Sequence, residues 1–101
     1  MQAEVVWLDQ AVDDLDAIFM FIAKDNPSAA LDYIDGLEEA CKRLRDFPNS
    51  GRFYDSQYQT LIHRNHLIFY TFSVSTKVLK IIKIVDGRQD YRKLVTELPE
   101  N

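Results

Sequence analysis

The stretch His66-Leu67-Ile68-Phe69-Tyr70, followed by Val78-Leu79-Lys80-Ile81-Ile82-Lys83-Ile84-Val85 and then Asp86-Gly87-Arg88-Gln89-Asp90-Tyr91, decides the reading of this chain. Two β-branched and aromatic runs of this length read as strands, and Ser73 to Thr76 between them reads as a turn. The second run ends in a glycine turn carrying Arg, Gln, Asp and Tyr. Polar groups held at a sheet margin serve a partner better than a core, which makes this turn the candidate functional region.

Working backward, Gln59 to His63 gives another strand, joined to the first through Arg64-Asn65, and the three form an antiparallel meander. Pro48-Asn49-Ser50-Gly51 is the loop before it. Upstream, apolar residues Ala11, Val12, Leu15, Ile18, Phe19 and Ile22 recur at helical spacing, with Asp13, Asp14 and Asp16 mostly off the stripe. Asn26-Pro27 then supplies an N-cap and a first-turn proline, and Ala30, Ile34, Leu37, Cys41 and Leu44 form a second stripe that stops at Phe47-Pro48. The short link predicts an antiparallel helix hairpin. Ala3 to Trp7 is a short β-type run ahead of it. The predicted fold is α+β: an N-terminal strand, then a two-helix hairpin packed on an antiparallel β-sheet. Gly36 inside the second helix should cost up to about 1 kcal/mol relative to Ala, and a close crossing with the first helix is the expected reason for it.

The 101 residues and 47% hydrophobic content suit one core and too little chain for two. The expectation is a single domain over 1–95 and a frayed tail over 96–101. No apolar run approaches the ~20 residues of a membrane span, and Met1-Gln2-Ala3-Glu4 lacks the start of a secretory signal; a cytoplasmic protein is expected. The lone Cys41 reads as a buried small hydrophobe. With only His63 and His66 beside it, no metal site is expected, nor any cofactor. The two histidines flank the hairpin turn and are expected in solvent.

The net charge of −4 argues against nonspecific wrapping of nucleic acid. It hides an asymmetry: residues 1–50 hold 11 acidic and 4 basic side chains, whereas residues 51–101 hold 5 acidic and 8 basic. The basic second half suits an acidic peptide or phosphate groups.

The ordered set Val6-Trp7, Asp14-Leu15 with Ile18, Ile22-Ala23, Asn26-Pro27, Ala29-Ala30, Leu37-Glu38, Leu44, Phe47-Pro48, Ser50-Gly51-Arg52, Ile68-Phe69-Tyr70 and Gly87-Arg88 resembles the ParE/RelE superfamily of type II toxin–antitoxin toxins. The likeness is greatest to its ParE branch and to plasmid-stabilisation proteins, and it runs from about Val5 to Val95. It implies a bacterial toxin neutralised by a cognate antitoxin with an acidic and apolar tail. ParE-like members poison DNA gyrase and RelE-like members cut mRNA on the ribosome, so the fold alone does not choose. Two departures stand out. Leu8-Asp9 replaces a helix-capping Ser-Pro, which passes the cap to Asp9, and Asp86-Gly87-Arg88-Gln89-Asp90 replaces the His-Gly-Arg-Arg-Asp common in the family.

RNA cleavage by its own 2′-hydroxyl needs a base, an acid and a cation at the phosphate. His63, Arg64, His66, Tyr70, Arg88, Tyr91 and Arg92 are the candidates. A ribonuclease would draw on His63, Arg64, Tyr70 and Arg88; target or antitoxin binding would draw on Arg64, Tyr70, Arg88, Tyr91 and Arg92. In the strand, Phe69 is assigned to the core and Tyr70 to the functional face. Arg88 leads, because a guanidinium on a rigid turn makes bidentate bonds to carboxylate or phosphate; an internal pair with Asp86 or Asp90 is its other use. Arg52 is assigned to holding the loop into the sheet. Asp86 in place of His, together with the acidic total, favours a non-catalytic gyrase inhibitor over an mRNA endonuclease, with a non-toxic relic as the third reading.

Overall fold

The computed structural model describes residues 2–98. The elements are β1 (Glu4–Trp7), α1 (Asp9–Ala23), α2 (Pro27–Arg43), β2 (Arg52–Phe53), β3 (Gln59–His63), β4 (His66–Ser73), β5 (Val78–Asp86) and α3 (Arg92–Thr96). The architecture is the expected α+β, a helix hairpin on a sheet. The five strands run in the order β1-β5-β4-β3-β2. β3, β4 and β5 pair antiparallel, as the meander required, and the short β2, which was not expected, pairs antiparallel with β3. β1 joins β5 in parallel, Glu4 opposite Val78 and Trp7 opposite Ile81, because the hairpin carries the chain across the sheet before it returns. The sheet is therefore mixed.

β1 passes into α1 without a side-chain cap. Leu8, not Asp9, holds the N-cap position and makes no side-chain cap bond. Its N–H still donates to Ile81 O at 3.0 Å, so the residue finishes the strand while opening the helix, and its side chain packs on the core. Asp9 is the first helical residue, where its charge faces the positive end of the helix dipole. In α2 the expected cap is present: Asn26 Oδ1 accepts from Ala29 N–H at 3.1 Å, with Pro27 in the first turn.

Apolar residues fill both sides of the sheet. Under the hairpin, Leu37, Cys41 and Leu44 pack with Ile68, Tyr70, Leu79, Ile81 and Ile84. On the opposite face, Tyr58, Phe69, Ile82, Val85 and Val95 form a second cluster, joined by Tyr91 and Leu98 and closed by α3. Strands covered on both faces read as near-continuous apolar runs, which is the pattern of β4 and β5. Between them the pairing shifts from Phe69 with Lys83 to Tyr70 with Ile81, leaving Ile82 as the extra residue of a bulge. Leu98 packs on the second cluster; of the tail expected to fray, residues 99–101 lie outside the described residues.

β5 outruns β1, which would leave Ile84 N–H without a strand partner. Asp14 of α1 takes that place: its Oδ2 accepts from Ile84 N–H at 3.0 Å, and its Oδ1 accepts from Lys83 Nζ at 2.8 Å. A helix carboxylate thus completes a sheet edge. Gly36 has a different neighbour from the one expected, since a Cβ there would lie 3.2 Å from the His63 ring, so the glycine admits β3 rather than α1.

Candidate functional site

The hairpin turn Arg64-Asn65 sets His63 opposite His66, both pointing toward α2. Tyr33 lies between the two rings, 5.5 Å from each and edge-on. Its Oη is hydrogen-bonded to His66 Nδ1 at 2.6 Å, and the Arg64 guanidinium sits 6.0 Å from the Tyr33 ring centre. The histidines are thus half-buried against a helix rather than in solvent, which corrects the expectation. Burial lowers the pKa of both, aided at His63 by Arg64 and Arg43 and opposed at His66 by Asp86. Burial also raises that of Tyr33. Arg64 has φ of 54°, a left-handed conformation that costs a side-chain-bearing residue about 1–2 kcal/mol.

Beside this cluster a cleft of about 360 Å³ opens between the C-terminal half of α1 and the end of β5. Ile18, Phe21 and Ile22 of α1 line it together with Tyr33, His66 and, at the end of β5, Asp86 and Arg88. Phe21 is 74% exposed, as are Phe53 and Phe47 to nearly the same degree. Arg88 makes the internal pair with Asp86: Oδ1 accepts from its backbone N–H at 2.9 Å and from Nε at 3.1 Å, and Oδ2 accepts from Nη2 at 2.9 Å. These bonds hold the Asp86 carboxyl down at about 2 and raise the Arg88 pKa. Charge on Asp86 is therefore answered inside the turn.

Other candidates fall elsewhere. Tyr70 is fully buried, which corrects its assignment to an exposed functional face. It lies under the hairpin, its Oη donating to Pro48 O at 2.9 Å and accepting from Gly51 N–H at 3.0 Å. Phe69 and Tyr70 point to opposite faces of β4, and both are buried because the sheet has a core on each side. Tyr91 packs on the far face with Phe69 and Tyr54 at ring distances of 6.0 and 6.4 Å. Arg92 is exposed beside it and paired with Asp90 at 3.1 Å. Arg52 is exposed on β2, where its backbone carbonyl accepts from Thr60 Oγ1 at 3.3 Å.

His63, Arg64 and His66 therefore come together on Tyr33, and Arg88 lines the same cleft as Tyr33 and His66, whereas Tyr70, Tyr91 and Arg92 do not line it. Tyr33 and Phe21 were missed. Each flanks a helical apolar stripe, so only the position of the partner strand reveals its use. Among the described residues no group of three His, Cys, Asp or Glu could hold a metal ion, and no helix is long and apolar enough to cross a membrane.

The fold is that of small toxin chains. It is similar to a chain of a chromosomal ParDE toxin–antitoxin system from P. aeruginosa, with TM-score 0.71 and 23% identity, covering 84% of this chain and 96% of that one. It is also similar to a free-state mutant of the E. coli toxin RelE, with TM-score 0.66 and 10% identity over 96% and 94% of the two chains. A third likeness is to the RelBE2 toxin–antitoxin complex from Mycobacterium tuberculosis, with TM-score 0.57 and 13% identity over 85% and 99%. No curated protein matches the chain in sequence. The model of the ParE toxin of the type II toxin–antitoxin system parDE matches residues 5–91, and the chain belongs to that family.

Proposed function

We propose that this chain is the toxin of a ParDE-type module, a non-catalytic inhibitor of DNA gyrase that a cognate antitoxin holds inactive in the cytoplasm. The match to the ParE toxin family across residues 5–91 carries the reading. The separation of Tyr70 from the other ribonuclease candidates, His63, Arg64 and Arg88, supports it. Cleavage needs base, acid and cation around one phosphate, yet Tyr70 is sealed in the core, and Arg88 is engaged by a carboxylate. Binding in place of catalysis asks less: an oriented guanidinium and exposed apolar surface suffice. No cofactor enters this scheme.

Controlled expression in a bacterial host without antitoxin tests it. Gyrase poisoning produces filamentous cells with an induced DNA-damage response. Rapid loss of translation with cleaved transcripts would instead establish an mRNA endonuclease, and unimpaired growth with folded protein would establish a non-toxic relic.

A further inference from the structure

We infer that the free edge of β1 is a self-association surface, through which two copies of this chain pair antiparallel about a two-fold axis at Val6 and join their sheets into one. The inference stands on the geometry of the strand and does not depend on the toxin reading.

β1 is the edge of the sheet and has β5 as its neighbour. Glu4 N–H donates to Lys77 O at 2.9 Å and Leu8 N–H to Ile81 O at 3.0 Å, so the alternation of a strand turns the N–H and C=O of Val5 and Trp7 to the other side. Ala3, the next residue turned that way, gives its N–H to Arg45 O at 2.8 Å. The end of α2 thus closes the start of the edge, while Val5 and Trp7 have no backbone partner there among the described residues. A row of open groups of this kind templates pairing with another strand. After Glu4, β1 has no charge, proline or bulge that would deter it, whereas β2 at the opposite edge is two residues long and begins with Arg52. Beside the β1 edge runs an open groove of about 450 Å³, which gives room for an incoming strand.

Antiparallel pairing with β1 of a second copy closes these groups. With Val6 on the axis, Val5 lies opposite Trp7 of the second copy and Trp7 opposite its Val5, and each such pair exchanges two N–H···O bonds. Val6 then faces Val6, a β-branched cross-strand contact. The same register carries Asp9 of one copy to the level of Ala3 of the other, beside Lys42 and Arg45, which line the groove. Asp9, Lys42 and Arg45 are all exposed, and none has an ion-pair partner among the described residues. The groove also holds Glu4 and Glu38, so it carries no excess charge that would repel an identical patch. A two-fold contact requires each patch to complement itself, which Asp9 against Arg45 and Val6 against Val6 provide.

The test is sedimentation velocity of the purified full chain across a wide range of concentration, with a monomer–dimer equilibrium as the expected result. Arg45→Asp changes an exposed side chain, so the fold survives; it should weaken the dimer about tenfold, and adding Asp9→Arg should restore it. Oxidation of the variants Val6→Cys and Glu4→Cys reads the register, since the native Cys41 is buried and stays out of the reaction. Across the axis the two copies of residue 6 lie about 4.5 Å apart at Cα, within reach of a disulfide, whereas those of residue 4 stand about 13 Å apart along the strands. Val6→Cys should therefore give a disulfide-linked dimer and Glu4→Cys should not. A monomer at every concentration, an undiminished dimer in the folded Arg45→Asp variant, failure of the charge swap to restore it, or cross-linking of Val6→Cys no greater than that of Glu4→Cys would overturn the interface.

Discussion

Asp14 shows how one side chain can hold two layers together. It is four-fifths buried, and its carboxylate meets Lys83 and the Ile84 amide at once. Asp14→Ala removes the ion pair and leaves a strand N–H without an acceptor, which should lower stability by about 2–3 kcal/mol. Asp14→Asn keeps an oxygen for the amide and should lose about half as much; urea unfolding of both measures the difference. Tyr70 is the second such residue. Tyr70→Phe strips the hydroxyl from Pro48 O and Gly51 N–H and should cost about 1–3 kcal/mol. Its toxicity should change only as far as its folded fraction does, which expression at reduced temperature will separate. The same packing makes Gly51 necessary, since a Cβ there would sit 2.5 Å from both Thr60 O and Tyr70 Oη.

At the scale of elements, the turns carry the strain. Arg64 and Lys77 hold φ of 54° and 59°, where glycine rests without steric cost. Lys77→Gly should stabilise by about 0.5 kcal/mol, the steric relief slightly exceeding the entropy glycine adds to the unfolded chain. Arg64→Gly gains less, because it also gives up the cation over Tyr33; thermal melts of the two variants give the comparison. The helices α1 and α2 and the strands β1, β3, β4 and β5 were legible in the sequence because each has its own period or its own cap, as Asn26-Pro27 has. The partner of β1, the two-residue β2, the bulge at Ile82 and the second core were not. They depend on residues far apart in the chain, such as Asp14 with Ile84 or Phe69 with Tyr91. Arg88 was legible from its glycine turn, but its neighbours Phe21, Tyr33 and His66 arrive from three other elements.

Across the whole molecule, ionisation bounds the stable pH range. His63 and His66 have folded pKa values lowered chiefly by burial. The unfolded chain therefore binds more protons as pH falls below about 6.5, and stability present above that pH is lost on the way down. Cys41 lies at the other end, its thiol pushed up to about 12 by burial and then by Glu38. From about pH 8.5 the unfolded thiol ionises while the folded one keeps its proton, so stability falls by up to about 1.4 kcal/mol per pH unit. Unfolding free energy followed from pH 5 to 10 should show a maximum near neutrality, and Cys41→Ala should flatten the limb above 8.5. The charge asymmetry also organises the molecule, with the acidic helix hairpin as scaffold and the basic strand half holding Arg88 at its margin. The central claim, that this molecule acts by binding gyrase, is tested most directly by DNA supercoiling with purified gyrase and the antitoxin-free chain. Inhibition near equimolar protein with accumulation of cleaved DNA is the predicted result; full supercoiling activity in the presence of excess folded protein would contradict it.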